Sequence, residues 1–173
     1  KASSITLVNT AADIETLNIT GKADLTLATT LATIKTVDGS KAQGNLTFSN
    51  TVNMTSIKTG SGNDTLKSIE NIIGSANKDT VTLRDTEVNT IYAGAGSDTI
   101  KAGTTAYIGG NTIDGFGVTG TQDSSDSDTM DYSVLGAGQN ISVDLNIVDG
   151  SGFSNVTFNG AINLDKLKNI EIS

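Results

Sequence analysis

Residues 57–66 read IKTGSGNDTL and residues 91–100 read IYAGAGSDTI, one pattern of apolar residue, spaced glycines and Asp-Thr-apolar written twice, 34 positions apart. No other feature constrains the fold as much. Two glycines ahead of an acid make a tight turn, because glycine reaches backbone conformations that other residues avoid and Asp caps its own backbone. A single turn of this kind is ordinary. A series of them between short apolar runs describes coils that cannot bury an apolar face alone and must stack on their neighbours.

The rest of the chain carries that series. Apolar residues alternate with polar ones in Ile5-Thr-Leu-Val, Leu17-Asn-Ile-Thr, Leu25-Thr-Leu, Leu46-Thr-Phe, Val81-Thr-Leu, Ile141-Ser-Val-Asp-Leu and Val156-Thr-Phe. The period of two and the β-branched residues predict short strands, and no segment reads as a helix of more than about three turns. Aligned on an opening apolar residue, the coils start at Leu17, Ile34, Ile57, Ile72, Ile91 and Ile108, with spacings of 17, 23, 15, 19 and 17. Between them lie GSGNDTL (60–66), GSANKDTV (74–81), GAGSDTI (94–100) and GGNTIDGF (109–116). The predicted fold is all-β, a parallel β-helix or β-roll solenoid with glycine–aspartate turns. One domain of 173 residues is expected. Within it, 1–56 are Thr/Ala-rich coils, 57–133 the glycine–aspartate coils, and 134–173 terminal strands.

Composition narrows the chemistry. There is no Cys, His, Trp or Pro, and Arg84 is the only arginine. Nucleophile–imidazole pairs and zinc sites with nitrogen or sulfur ligands are therefore excluded, and any bound metal must take oxygen ligands, as calcium or magnesium does. The net charge is −8, with eight aspartates and no Lys or Arg between Ala102 and Asp165. Nucleic acid, which is bound by neutralising phosphates, is an unsuitable partner. No run is long enough for a membrane-spanning helix, and the start KASSITLVNT lacks a secretory-signal pattern. The two glycine turns also lack the third glycine, following helix or G-K-[ST] of a phosphate-binding loop.

In a parallel solenoid, equivalent residues of adjacent coils lie about 4.7–4.9 Å apart. Carboxylates at that distance repel by roughly 1 kcal/mol in water and about 3–4 kcal/mol at an effective dielectric of 20. A stack of Asp64, Asp79 and Asp98 is thus expected to oppose folding unless a cation lies between successive turns. Calcium, with oxygen ligands at about 2.3–2.6 Å, has the reach to do so. The glycines then acquire a second use, letting backbone carbonyls turn inward. Taken singly, each turn is better explained as a plain turn than as a ligand site.

TGSGNDTLK (59–67) and AGAGSDTIK (93–101) resemble the nonapeptide G-G-x-G-x-D-x-apolar-x of RTX proteins, the calcium-binding repeat family of bacterial type I secretion. LKSIENIIGSANKDTV (66–81) is similar to segments that lead into such repeats, and DTMDYSVLGAG (128–138) to those that end them. Residues 1–56 resemble the Thr/Ala-rich ladders of RTX-type surface-layer proteins. The resemblance implies that Asp64, Asp79 and Asp98 give carboxylate oxygens to Ca2+. It also implies that Gly60, Gly62, Asn77, Gly94 and Gly96 lie in the turns that give carbonyls. There are departures. Thr59 and Ala93 stand at the first glycine position, and Asn77, a residue tolerant of the left-handed region, replaces the second glycine of its turn beside Lys78. Fewer ions than in an uninterrupted array are expected. Asp38 either ends the ladder or makes a plain turn, Asp114 either binds or belongs to a cap, and Asp128 falls in the exit segment. The closing LDKLKNIEIS (164–173) echoes LKSIEN (66–71), which implies a further repeat and a longer parent chain.

The function implied is non-enzymatic. It is a structural module of a secreted bacterial cell-surface protein, of the surface-layer or adhesin type, folded by calcium and self-associating into a lattice. Two alternatives remain open at this point. One is a β-helix polysaccharide lyase or epimerase module, for which Arg84-Asp85 is the local candidate. The other is an adhesin domain whose Thr/Asn ladders bind surface polysaccharide or ice.

Overall fold

In each coil an inward apolar residue sits between outward polar ones, as in Thr65–Lys67, Thr80–Thr82 and Thr99–Lys101, and this alternation extends the backbone as strand. The computed structural model describes residues 3–4, 14–29, 33–50, 54–83, 88–103, 109–116, 127–135, 141–148, 152, 154–158 and 165–172. Its early strands are β1 (Ser3–Ser4), β2 (Thr16–Gly21), β3 (Leu25–Thr29), β4 (Thr36–Ala42) and β5 (Leu46–Asn50). The glycine–aspartate coils supply β6 (Ser56–Lys58), β7 (Thr65–Lys67), β8 (Asn71–Ile73), β9 (Thr80–Thr82), β10 (Thr90–Tyr92), β11 (Thr99–Lys101), β12 (Thr112–Asp114) and β13 (Thr129–Asp131). The last are β14 (Ile141–Val148), β15 (Ser154–Phe158), β16 (Asp165–Lys168) and β17 (Glu171–Ile172). No helix occurs among the described residues. The run Ile5–Val8 and the Arg84-Asp85 pair lie outside them.

Consecutive strands from β2 to β13 alternate between two sheets, so the chain turns a corner after every strand. One sheet has the order β1-β3-β5-β7-β9-β11-β13-β17, and the other β14-β15-β16-β12-β10-β8-β6-β4-β2. Pairing is parallel throughout except where β14, β15 and β16 run antiparallel at the end of the second sheet. This is the expected all-β parallel solenoid.

Register explains the core. In the second sheet Leu17, Val37, Ile57, Ile72, Ile91, Ile113 and Leu167 follow one another, and in the first sheet Leu27, Phe48, Leu66, Val81, Ile100 and Met130 do. Apart from the partly buried Leu17, all of them are buried. Full burial of each such side chain stabilises by about 1.5–3 kcal/mol, which ties every coil to the next.

One of the expected coil starts shifts: Val37 occupies the column position assigned to Ile34. The expected start at Ile108 lies outside the described residues, and Ile113 follows Ile91 in the column. The shared letters of IKTV and IKTG misplace the register by three residues, because Ile34 is fully buried before β4 begins rather than within it. The echo between LKSIEN and LKNIEI has a backbone basis. Ser68 and Asn169, at matching places in the two phrases, are the non-glycine residues with positive φ among those described, at 61° and 53°. The two corners are nevertheless opposite ones, since β7 to β8 leaves the first sheet and β16 to β17 enters it.

Outside the core, Thr26, Thr47, Thr65, Thr80, Thr99 and Thr129 form one continuous row in register along the first sheet.

Candidate metal centre

The turns GSGND, GSANKD and GAGSD join β6 to β7, β8 to β9 and β10 to β11, so all three stack at one corner. Glycine is required there because the backbones of successive turns touch. A Cβ on Gly60 would lie 2.1 Å from the Ala42 carbonyl oxygen, and one on Gly94 would lie 1.9 Å from that of Ser75. Gly62 and Gly96 crowd the preceding turn as well and, like Gly94, also have positive φ, at 121° and 105°. Asn77 does not follow them. It is not among the residues with positive φ, and its N–H instead donates to the Ser75 hydroxyl at 3.1 Å, which closes the turn through a side chain.

The aspartates form a ladder of four, not three. The backbone N–H of each rung donates to Oδ1 of the next: Asp64 to Asp79 at 2.8 Å, Asp79 to Asp98 at 2.7 Å, and Asp98 to Asp128 at 2.8 Å. At the near end Leu46 N–H donates to Asp64 Oδ1 at 2.7 Å. All four acids are buried. Asp128 thus joins the ladder, although a long intervening segment separates it from Gly115. The ladder stops where its register meets apolar residues, Leu46 before Asp64 and Ile170 after Asp128.

These charge-assisted bonds offset part of the repulsion expected of stacked carboxylates. They do not remove it. Burial pushes the Asp79 carboxyl up to about 6, against the opposing pull of the Ser75 and Asp64 N–H groups, and the Asp64 charge pushes it the same way as burial. Burial also raises Asp64, with the Leu46 N–H and the nearby Thr59 hydroxyl pulling it back. Ionisation of the ladder is therefore opposed chiefly by burial, with the neighbouring Asp64 charge adding to it at Asp79.

The rungs differ in what surrounds the second oxygen. Asp79 Oδ2 accepts the Ser75 N–H at 2.8 Å, while its Oδ1 faces the Ser75 hydroxyl at 3.3 Å. Asp64 Oδ2 and the Thr59 hydroxyl are buried in the same turn, where the hydroxyl is near enough to favour the ionised carboxylate, but neither makes a hydrogen bond of good geometry to the other or to any other group. The direction of the side chain at this turn position explains the pairing: a Cβ on Gly74 would lie 2.9 Å from Asp79 Oδ2, and one on Gly115 2.3 Å from Asp128 Oδ2. Thr59 is the member of that row whose Cβ carries a hydroxyl. Two orphaned buried oxygens side by side fit a hard cation, which takes oxygen ligands. Among the described residues no three carboxylates converge, so a cation here would draw on backbone carbonyls and hydroxyls beside one or two acids.

Asp38 lies outside the ladder. It sits exposed on β4, where its carboxylate accepts the Ser40 N–H at 3.0 Å, a bond that with the Ser40 hydroxyl holds its pKa below the usual range. Asp114 is committed elsewhere. Its Oδ1 accepts Phe116 N–H at 3.0 Å and Asn169 Nδ2 at 2.8 Å, and Lys168 Nζ lies 3.8 Å from Oδ2.

The opposite corner carries a second buried ladder. Asn111 Oδ1 accepts both the N–H and the Nδ2 of Asn89, at 2.8 and 2.6 Å. Asp165 Oδ1 accepts the same two groups of Asn111, at 2.9 and 2.8 Å, and the Tyr132 hydroxyl donates to Asp165 Oδ2 at 2.8 Å. Burial, with the Asp165 charge beside it, raises the Tyr132 pKa and keeps the phenol protonated. The phrase Asn-Thr-Ile, written at 89–91 and again at 111–113, was the available signal for this ladder.

Comparison with protein-family models, with curated proteins and with solved structures finds no match.

Proposed function

We propose that this chain is a calcium-stabilised structural module of a secreted bacterial cell-surface protein of the surface-layer or adhesin type, related to the RTX repeats. The observation that carries the reading is the buried ladder Asp64, Asp79, Asp98 and Asp128, in which Asp64 Oδ2 lies unpartnered against the Thr59 hydroxyl. A chain without His or Cys leaves only oxygen chemistry for such a site.

When bound, calcium would supply positive charge where burial and neighbouring acids disfavour ionised carboxylates. The chain's own residues do the rest. Gly60, Gly62, Gly94 and Gly96 let successive turns approach at backbone distance, so that carbonyls and carboxylates of neighbouring coils share one corner. The N–H ladder orients each Oδ1 and fixes which way the carboxylate plane faces. Leu46 and Ile170 limit the ladder at its two ends. Binding to the folded state alone adds its free energy to stability, about 2.7 kcal/mol at one hundred times Kd. The charged corner would then stay open where free calcium is scarce and close where it is plentiful. The in-register threonine row offers a flat polar face for lateral packing.

Urea unfolding in chelator, in magnesium and in calcium tests the reading. The expected result is a midpoint that rises with calcium and far less with magnesium. Equal stability in chelator and in millimolar calcium would overturn it.

A further inference from the structure

Counting back from the aspartates, Ser75 stands four residues before Asp79, where Gly60 and Gly94 stand before Asp64 and Asp98. The bond from Ala95 N–H to the Ser75 carbonyl at 3.0 Å places Ser75 and Gly94 in the same register position of adjacent turns. A side chain is thus present at one turn where the other two have none. That side chain is buried, and its hydroxyl lies 3.1 Å from the Gly62 carbonyl oxygen of the preceding turn, 3.3 Å from the Asn77 carbonyl oxygen and 3.3 Å from Asp79 Oδ1.

Three oxygens from two successive turns therefore converge on one hydroxyl. A serine has a single proton to donate, so it can satisfy one of the three fully. The convergence of a glycine carbonyl, a second carbonyl and a carboxylate is the donor set that suits a hard cation. The hydroxyl oxygen accepts the Asn77 N–H at 3.1 Å, and the Ser75 N–H donates to Asp79 Oδ2 at 2.8 Å. Asp79, unlike Asp64, is thereby answered on both oxygens by the protein itself.

We propose that the Ser75 side chain stands in for a cation between the first and second turns, so that this chain carries one ion fewer than its stack of turns would otherwise hold. The proposal rests on the cation reading of the turns. It assigns the departure from the glycine pattern a purpose: the middle turn folds without metal and gives the flanking turns a fixed surface on which to close. Ser75→Gly, which restores the glycine four residues before the aspartate and leaves Asn77 in place, exchanges a built-in donor for an ion-dependent turn.

The test counts bound calcium per chain by native mass spectrometry and follows thermal unfolding, for the natural chain and for Ser75→Gly. The expected result is one more calcium ion in Ser75→Gly, with a melting temperature several degrees lower in chelator and a gap that closes in saturating calcium. Equal ion counts in the two chains, with the natural chain binding calcium, would overturn the role of Ser75 and leave the calcium reading standing. A natural chain that binds none would overturn both. A Ser75→Gly chain that stays unfolded in saturating calcium would also overturn the proposal, since calcium is expected to replace what the hydroxyl provides.

Discussion

At one corner of the solenoid the rungs are Asp64, Asp79, Asp98 and Asp128, at the other Asn89, Asn111 and Asp165, and in both the oxygen of a later coil accepts the backbone N–H of an earlier one. The register-fixing bond is the same. What differs is the second atom of the side chain. An amide brings its own donor, so Asn89 and Asn111 each reach the next rung twice. A carboxylate brings only another acceptor, which Ser75 answers at Asp79 and which no well-formed hydrogen bond answers at Asp64. Amides serve the fold at least as well as acids do, so register alone does not account for a row of four buried acids. The charge is the feature that the cation reading explains.

The comparison is tested most severely at Asp165, where the amide corner ends. Its carboxylate collects two Asn111 donors and the Tyr132 hydroxyl while fully buried. Asp165→Ala leaves those donors without an acceptor, at a cost of about 3–5 kcal/mol. Urea unfolding should show the same loss in chelator and in calcium. A loss that calcium restores would erase the distinction between the corners.

The next largest effect is on pH dependence, and its sign sets the buried acid ladder apart from the more exposed acids Asp38 and Asp131. The Asp79 carboxyl sits at about 6 in the folded protein against 3.8 for the free side chain. The folded state then holds the proton longer as pH rises, so stability from this group is present at low pH and lost between about pH 4 and 6. The shift corresponds to at most about 3 kcal/mol. Asp64, also raised, acts in the same direction. Asp38 and Asp131, held below their usual range by hydrogen bonds from Ser40 and Ser133, act oppositely, and their contribution disappears as pH falls below 3.8. In chelator the protein should therefore unfold at higher urea near pH 5 than at pH 7. In calcium that difference should shrink, because ion binding favours the ionised acids.

How far the sequence alone reaches follows from what each signal depends on. The strands were readable because Leu66, Val81 and Ile100 alternate with outward polar residues, and the turns because glycine is hard to replace where backbones touch. The rungs Asp64, Asp79 and Asp98 were readable because their spacing tracks the coils. Asp128 was harder to assign, since its corner is interrupted by a long insertion between Gly115 and the strand it precedes. The amide corner was missed because Asn before Thr reads as a common turn residue until register shows Asn89 beside Asn111. Ser75 and Thr59 were beyond reach for a physical reason. Their roles depend on which oxygens lie within about 3 Å of a hydroxyl, and no periodicity encodes that.

A smaller effect is expected when one acid rung is made to resemble an amide rung. In Asp64→Asn the side-chain oxygen can still accept the Leu46 N–H, and the new Nδ2 faces the Thr59 hydroxyl where an unpartnered oxygen stood. Removing a buried charge whose ionised form is disfavoured should stabilise the metal-free protein by about 1–2 kcal/mol. The same change should reduce the stabilisation that calcium provides. If the variant were instead less stable in chelator, the ionised carboxylate would be favourable where it stands, and the contrast between the corners would lose its energetic basis.

The smallest effect is expected on the outer surface, where Lys35 Nζ lies 3.4 Å from Glu15 with both side chains well exposed. This pair also joins neighbouring coils, through residues that precede β2 and β4, and so provides a control for the claim that coil order is held at the buried corners. In water the attraction of two exposed charges is small, and holding two long side chains together opposes it. Beside it, Lys35 and Thr36 N–H both donate to the Glu15 carbonyl, at 2.9 and 3.1 Å, and these bonds do not involve the lysine side chain. Lys35→Ala should therefore change the unfolding free energy by less than about 0.5 kcal/mol, and by the same amount in chelator and in calcium. A loss approaching that of Asp165→Ala would show that outward ion pairs fix the stacking, and the difference between an acid corner and an amide corner would then be secondary.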